Sequence, residues 1–418
     1  MATSALEFEV LARCSTTLAR VSRMRLPHST TMLPTFMPVA TQASLKGTTP
    51  LQIMSIEPTI SLILNNTYHL SLRPGTDILD GCGGSHEFQN WPRNLLTDSG
   101  GFQMVSLVKL SKVTEQGVMF ANPYDPNIKS MLTPERSMQI QHSIGADIMM
   151  QLDDVVSSLT TGERMQEAMH RSVRWLDRCL DEHEKSGRAS KQNLFAIVQG
   201  GLDPTLRNQC LDQMLEPQRE SKIPGYAIGG LSGGEEKDYF WKIVKQCAER
   251  LPQNKPRYCM GIGYGEDLLV CAALGVDMAD CVFPTRTARF GVALTFSGPI
   301  NLRQKQFNQD YNVIDSNCNC TTCDRGQGLS KSQLHVLAGK ETSGANAITL
   351  HNLTYQSTLM SKARAAILKD EFPQYLINFF AKFFGSKDQY PSWAVDALQS
   401  VGVDLLTGEP DFTKDWNE

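Results

Sequence analysis

An excess of charge of either sign is what this 418-residue sequence most plainly lacks. Forty lysines and arginines stand against 44 aspartates and glutamates, for a net charge of −4. Such a balance excludes a general polyanion binder, so any contact with nucleic acid has to come from a local basic patch. No apolar run approaches the roughly 20 residues of a membrane helix. Glu7 and Glu9 stand near the start without an apolar h-region, so no secretory signal is expected and the chain reads as soluble and cytosolic. Phosphate loops of the Gly-x-x-x-x-Gly-Lys-Ser/Thr type and the Rossmann fingerprint are both missing, which disfavours nucleotide cofactors. There is no low-complexity tract, and 41% hydrophobic residues are enough to bury a large core. The 11 cysteines do not form a disulfide framework: eight are scattered, mostly in apolar segments, and three are clustered. Arg13, Arg20, Arg23 and Arg25 among Ser and Thr resemble a transit peptide, but the alternating apolar pattern there also suits an opening hairpin.

What is present is an alternation of short apolar runs with longer helical patterns, the mark of βα units around a parallel sheet. The runs fall at Thr35–Thr41, Ile60–Asn66, Asn94–Ser99, Ala146–Asp154, Leu194–Gly200, Tyr226–Leu231, Arg257–Gly263 and Asp277–Pro284. Between them, Thr133-Pro134-Glu135 and Asp203-Pro204 read as helix starts with proline in the first turn. Thr160–Glu163 and Ser232–Glu235 have capping-box spacing, and Gly265-Glu266 leads into Leu268–Leu274. Eight strands with interposed helices predict a (β/α)₈ barrel, whose active site lies at the C-terminal ends of the strands.

Reactive side chains do gather there. The runs end in Asp98-Ser99-Gly100-Gly101, Asp153-Asp154, Gln199-Gly200-Gly201, Gly229-Gly230-Leu231, Gly261-Ile262-Gly263-Tyr264 and Asp280. The glycines suit tight turns, and also the close approach of a flat ligand to the backbone. Asp280 is followed by Pro284, Arg286 and Arg289 in a tract otherwise short of charge. Such a carboxylate beside two arginines is either a buried ion pair capping a loop or a site for an anionic substrate, since guanidinium matches phosphate geometry.

Beyond the eighth run the character changes. Cys318, Cys320 and Cys323 form a Cys-x-Cys-x-x-Cys cluster, and His351 follows 28 residues later. Three thiolates and an imidazole make a closed, structural zinc site with no position left for substrate. His335 is nearer in sequence; His351 is favoured because it is read as opening an amphipathic helix of Leu353, Leu359, Met360 and Ala363.

Taken in order, Asp98–Gln103, Gln199-Gly200-Gly201, Ala227–Leu231, Asp280–Arg286 and the Cys-x-Cys-x-x-Cys…His cluster resemble the tRNA-guanine transglycosylases, in particular their eukaryotic catalytic branch, from about Pro34 to Leu405. The resemblance implies a zinc-carrying barrel that exchanges guanine at the tRNA wobble position for queuine. By it, Asp280 matches the nucleophile and Asp98 the proton acceptor. Asp98, Ser99, Gly100, Gly101, Phe102, Asp153, Gln199, Gly230 and Met260 match base-binding positions, with Phe102 and Met260 sandwiching the ring. Gly261, Ile262, Gly263, Tyr264, Gly265, Glu266 and Asp267 match an RNA-holding segment, as do Thr285, Arg286, Thr287, Ala288 and Arg289. Cys318, Cys320, Cys323 and His351 match the zinc ligands. The implied partners are tRNAs with GUN anticodons (Asp, Asn, His, Tyr), queuine and a related non-catalytic subunit in a heterodimer. A cytoplasmic location is implied, with which peripheral association with the mitochondrial outer membrane is compatible.

The physical logic agrees. An N-glycosidic bond breaks through an oxocarbenium-like state that a carboxylate can trap, and a second carboxylate can deprotonate the incoming base. Bacterial relatives carry Cys and Val where this chain has Val155 and Gly233, and glycine there leaves room for the larger substituent of queuine. Departures from the family pattern are Ala40 and Asn65, both at glycine positions; asparagine tolerates left-handed backbone. Segment 55–62 also matches poorly. The expected division is a barrel over 1–305, a zinc subdomain over 306–355 and C-terminal helices over 356–418. A non-catalytic partner subunit is the rival reading, and the retention of both Asp98 and Asp280 argues against it. A metal hydrolase is disfavoured by the closed zinc cluster and the absence of His-rich strand ends.

Overall fold

The computed structural model describes residues 5–101, 112–121, 129–324 and 326–416. Eight strands close into a parallel barrel: β1 Thr35–Ala40, β2 Leu62–Asn65, β3 Asn94–Thr97, β4 Ile148–Met150, β5 Asn193–Val198, β6 Tyr226–Ile228, β7 Arg257–Cys259 and β8 Met278–Cys281. Seven lie within the apolar runs, and β5 begins one residue ahead of its run, at Asn193. Ladders link neighbours in sequence order, and β8 returns to β1 through Met278↔Thr35 and Asp280↔Met37. The runs read as nearly continuous rather than alternating because both faces are covered. In β5, Phe195 and Ile197 join the barrel interior, while Leu194, Ala196 and Val198 pack outward against helices.

The opening hairpin is present as a three-stranded antiparallel sheet, Glu7–Arg13, Arg20–Arg25 and Thr30–Leu33. Its Met24, Leu26 and Leu33 complete the inner core of the barrel with Met37, Leu62 and Ile148. This sheet closes the N-terminal end. Beside it, Arg20 donates to both oxygens of the buried Asp277 at 2.9 and 2.6 Å. At the same end His28 and His86 both reach the Asp147 carboxylate, at 2.7 and 3.3 Å. Their rings stack 3.5 Å apart and 15° from parallel, and His86 Nε2 also faces the Arg93 carbonyl. This cluster is a hydrogen-bonded clamp on the barrel floor.

Thr133 and Asp203 cap their helices, Pro134–Ile144 and Pro204–Met214, as the sequence indicates. Two expected capping boxes do not form. Gly162 is the N-cap of Glu163–Lys185 and makes no side-chain bond. In the other, the Glu235 carboxylate accepts from the Ser232 and Gly233 amides within the loop, and Lys237–Arg250 begins beyond it. Asn65 is extended at the end of β2 and needs no left-handed backbone. Its carboxamide donates to the Ala40 carbonyl at 2.9 Å and accepts from Ser85 at 2.8 Å, so it ties the two departures together.

After β8 the chain forms the short helix Phe283–Arg289, crosses a small subdomain with its own core of Leu302, Phe307, Ile314, Leu334 and Ile348, and re-enters the barrel layer as the 27-residue helix Thr342–Leu368. His351 lies inside this helix rather than at its start, a correction to the sequence reading. The boundary placed at 355 likewise falls within one continuous element, which subdomain and C-terminal helices share.

Candidate active site at the C-terminal rim of the barrel

Parallel pairing brings Asp98, Asp153, Gln199, Gly230 and Asp280 to one end of the barrel, because each follows or ends its strand. Asp280 is partly exposed. Its Oδ1 accepts from the Tyr258 hydroxyl at 2.5 Å and from the Gly261 amide at 2.9 Å. Oδ2 makes no hydrogen bond among the described residues. One oxygen is locked and the other is offered to the rim. Burial pushes the Asp280 pKa up, against the pull of these two donors.

Asp98 is buried and held from the β2 end: Asn66 Nδ2 donates to Oδ2 at 2.6 Å, and the Thr67 amide to Oδ1 at 2.9 Å. Both Asp98 and Asp280 act electrostatically on Tyr258, raising its pKa further above the level set by burial. Asp153 accepts from Ser99 Oγ at 3.0 Å and Gln199 Nε2 at 2.6 Å, and burial lifts its pKa to about 6. Gly230 has φ +68°, and a Cβ there would lie 2.3 Å from Gln199 Oε1. Met260 neighbours Gly229, where a Cβ would be 3.4 Å from its sulfur. A Cβ on Gly101 would meet the Asp153 carbonyl at 3.2 Å, and one on Gly100 the Tyr68 amide at 3.3 Å. Phe102 lies outside the described residues. The arrangement offers a free carboxylate oxygen, a second carboxylate, and a donor–acceptor edge suited to a purine-like base.

The RNA-holding candidates divide by exposure. Gly261, Tyr264 and Arg286 are exposed, and Glu266, Thr287 and Arg289 partly so. Ile262, Gly263, Gly265, Asp267, Thr285 and Ala288 are buried, and Asp267 pairs with Lys237 at 2.5 Å. These buried residues shape the segments rather than their surface. Burial raises the pKa of Glu266 to about 7. The ring of Tyr264 packs 4.3 Å from that of Phe283, and Phe290 is 61% exposed beside Arg289, a platform the sequence reading missed. It also missed Tyr258, Asn66 and Thr67. Only the β7–β8 register, which sets Tyr258 opposite Met278 with Asp280 two residues further, could have signalled the first.

The ligand atoms of Cys318, Cys320, Cys323 and His351 all lie within 4.8 Å of one another. His351 Nδ1 is 3.3 Å from Cys323 Sγ and 3.7 Å from Cys320 Sγ. A tetrahedron of about 2.3 Å zinc–sulfur and 2.0 Å zinc–nitrogen bonds has edges of about 3.5–3.8 Å. His351 Nε2 meets the Leu294 carbonyl at 2.8 Å, an acceptor that requires Nε2–H and leaves Nδ1 for a metal. The donor set can therefore hold a metal ion and is compatible with zinc.

A family model described as "Queuine tRNA-ribosyltransferase" matches residues 14–385. The chain is 54% identical over 407 residues to the "Queuine tRNA-ribosyltransferase catalytic subunit" of Schizosaccharomyces pombe, covering 96% of this chain and 98% of that one. It is 44% identical over 414 residues to the protein of the same description in Caenorhabditis elegans, covering 96% and 100%. A "Queuine tRNA-ribosyltransferase" of Caldanaerobacter subterraneus is 40% identical over 387 residues, covering 92% and 100%.

Proposed function

The chain belongs to the queuine tRNA-ribosyltransferase family, and on that premise we propose how its own residues carry out the exchange of guanine for queuine in tRNA. The observation that carries the reading is the asymmetry of Asp280, with one oxygen bound by Tyr258 and Gly261 and the other open. Oδ2 attacks C1′ of the wobble ribose. The C1′–N9 bond breaks, its electron pair leaves with guanine, and the ribose is held as an ester on Asp280. Tyr258 steadies the carboxylate while it is neutralised. Queuine then takes the place of guanine, its ring nitrogen gives a proton to Asp98, and the nitrogen attacks C1′. The C1′–O bond breaks and Asp280 is regenerated. Two displacements retain configuration and give ping-pong kinetics. Gln199, Asp153 and Gly230 read the base edge, and Arg286 and Arg289 hold phosphates.

Cys318, Cys320, Cys323 and His351 would hold a structural zinc ion, which fixes the subdomain and takes no part in the displacement. The name shared by the eukaryotic relatives supports a further inference, that the chain works beside a related non-catalytic subunit. The test is an exchange assay with tRNA and radiolabelled guanine, the partner subunit present. Wild type incorporates label and forms a denaturant-resistant tRNA adduct. Asp280→Asn is expected to lose both, with a rate at least about 10³-fold lower. Exchange that survives Asp280→Asn would sink the mechanism.

A further inference from the structure

Arg207 lies in the first turn of helix Pro204–Met214, is 0% exposed, and makes no ion pair among the described residues. Taking a charged group out of water costs several kcal/mol, and a buried arginine ordinarily offsets this with a carboxylate. Arg207 instead donates to three main-chain carbonyls: Nη1 to Val198 at 2.6 Å, Nε to Gly201 at 2.8 Å and Nη2 to Gly229 at 2.7 Å. These carbonyls belong to two strand ends. Val198 and Gly201 bracket Gln199-Gly200 after β5, and Gly229 immediately precedes Gly230 after β6.

Tolerances around the fork are tight. Gly200 has φ +131°, and a Cβ there would lie 2.9 Å from the Arg207 amide. On the far side, Gly230 sits so close to Gln199 that a Cβ would overlap its Oε1. Gln199 in turn donates to Asp153. A shift between β5 and β6 therefore moves the carboxamide, the Gly230 backbone and the Asp153 carboxylate relative to one another. Lysine cannot substitute, because its three donors radiate from one nitrogen while the planar guanidinium presents them from three.

We propose that Arg207 is a positioning residue for base exchange, its fork fixing the spacing of the β5 and β6 ends so that Gln199 and Gly230 present a single base-reading edge. The proposal rests on the function given above. It is tested with Arg207→Lys, which keeps the charge and loses the fork, by measuring initial rates with base and tRNA varied separately. Thermal unfolding and bound zinc report whether the variant is folded. Misplacement of reading groups by a fraction of an ångström should raise KM for the base about 10-fold or more, with KM for tRNA within about twofold. A purely structural arginine would lower the active fraction, hence kcat, and leave both KM values unchanged. Arg207→Gln, which carries no charge to bury, is the second variant and is read on the same pair of constants. Wild-type protein that exchanges no base would defeat the functional reading. Active wild type with unchanged base KM in a folded variant would defeat this proposal alone. Failure of both variants to fold would also overturn it, assigning Arg207 to the fold.

Discussion

At the scale of single residues, Asp153 is held in a state that favours function over stability. Its pKa stands at about 6 against an ordinary 3.8 because it is buried, and the donors Ser99 and Gln199 only partly offset that burial. A carboxyl group whose folded pKa is raised keeps its proton longer in the folded chain than in the unfolded one. Stability therefore falls as pH rises from about 4 to about 6, and above that window the fold carries the full cost. At about 1.4 kcal/mol per pKa unit, the cost is about 3 kcal/mol. An amide could keep both contacts, its oxygen accepting from Gln199 and its NH₂ donating to Ser99. Asp153→Asn is thus expected to raise the unfolding free energy at pH 7.5 by up to about 3 kcal/mol, with the gain shrinking toward pH 4, while base exchange drops about 100-fold or more. Paired thermal melts at the two pH values measure the first, and the exchange assay the second. A variant less stable than wild type at pH 7.5 would contradict it. The carboxylates themselves were legible in the sequence because they end apolar runs. Their holders were not. Tyr258, Asn66 and Thr67 reach Asp280 and Asp98 across strand neighbours that only the barrel register supplies.

At the scale of elements, the barrel was legible because helices cover every strand, so each strand is a short apolar run bounded by polar turns. Caps were legible where proline fixed the first turn, at Thr133 and Asp203, and misleading where the same spacing served a loop. Ser232–Glu235 is the instructive case. Its carboxylate binds two amides of its own turn, with Ser232 at φ +60°, instead of starting a helix, and the turn sets Gly233 of the β6 loop against Ser158 of the β4 loop. That contact has a consequence at Gly233, where a Cβ would approach Ser158 Oγ to 2.9 Å. Gly233→Val must push the two loops apart or project into the space the base substituent occupies. Since a few misplaced methyl groups in a pocket are worth about 1–3 kcal/mol, queuine kcat/KM is expected to fall about 10–100-fold, while exchange of guanine, which has no substituent, changes far less. Competition of the two bases in one assay measures the ratio, and an unchanged ratio would show that position 233 does not set base size. The neighbouring β4 loop is anchored from behind. Arg164 grips both oxygens of Asp154, and Arg171 links that carboxylate to Glu115, in the turn between the antiparallel strands Lys112–Val113 and Val118–Ala121.

At the scale of the whole molecule, the fold has a barrel core and a separate small core around Leu302, Phe307 and Ile348, joined through the helix Thr342–Leu368. No periodicity reports such a join, which is why a division at 355 looked reasonable from sequence. His351 and Asn352 are the joint. His351 faces the thiols with Nδ1 and meets the Leu294 carbonyl with Nε2. Asn352 donates to the Pro284 and Val292 carbonyls at 3.0 Å each and accepts from the Leu294 amide. Pro284 lies in the first turn of the helix Phe283–Arg289, which carries Arg286 and Arg289. The Cys₃His cluster is therefore tied, through two adjacent residues, to the segment proposed to hold RNA, while Asp153, Gln199 and Gly230 hang on β4 to β6. A zinc ion held there would be the common partner of three thiols and an imidazole, and metal binding of this type stabilises a fold directly. Chelation is expected to weaken tRNA binding about 10-fold or more and to flatten its salt dependence as the arginine contacts are lost. KM for the base in the residual activity should stay near its metal-loaded value, and circular dichroism should retain most of the barrel signal. Restoring zinc should restore tRNA affinity. Equal losses for base and tRNA would mean that the two cores unfold together, and the joint at His351–Asn352 would then be a seam within one cooperative unit.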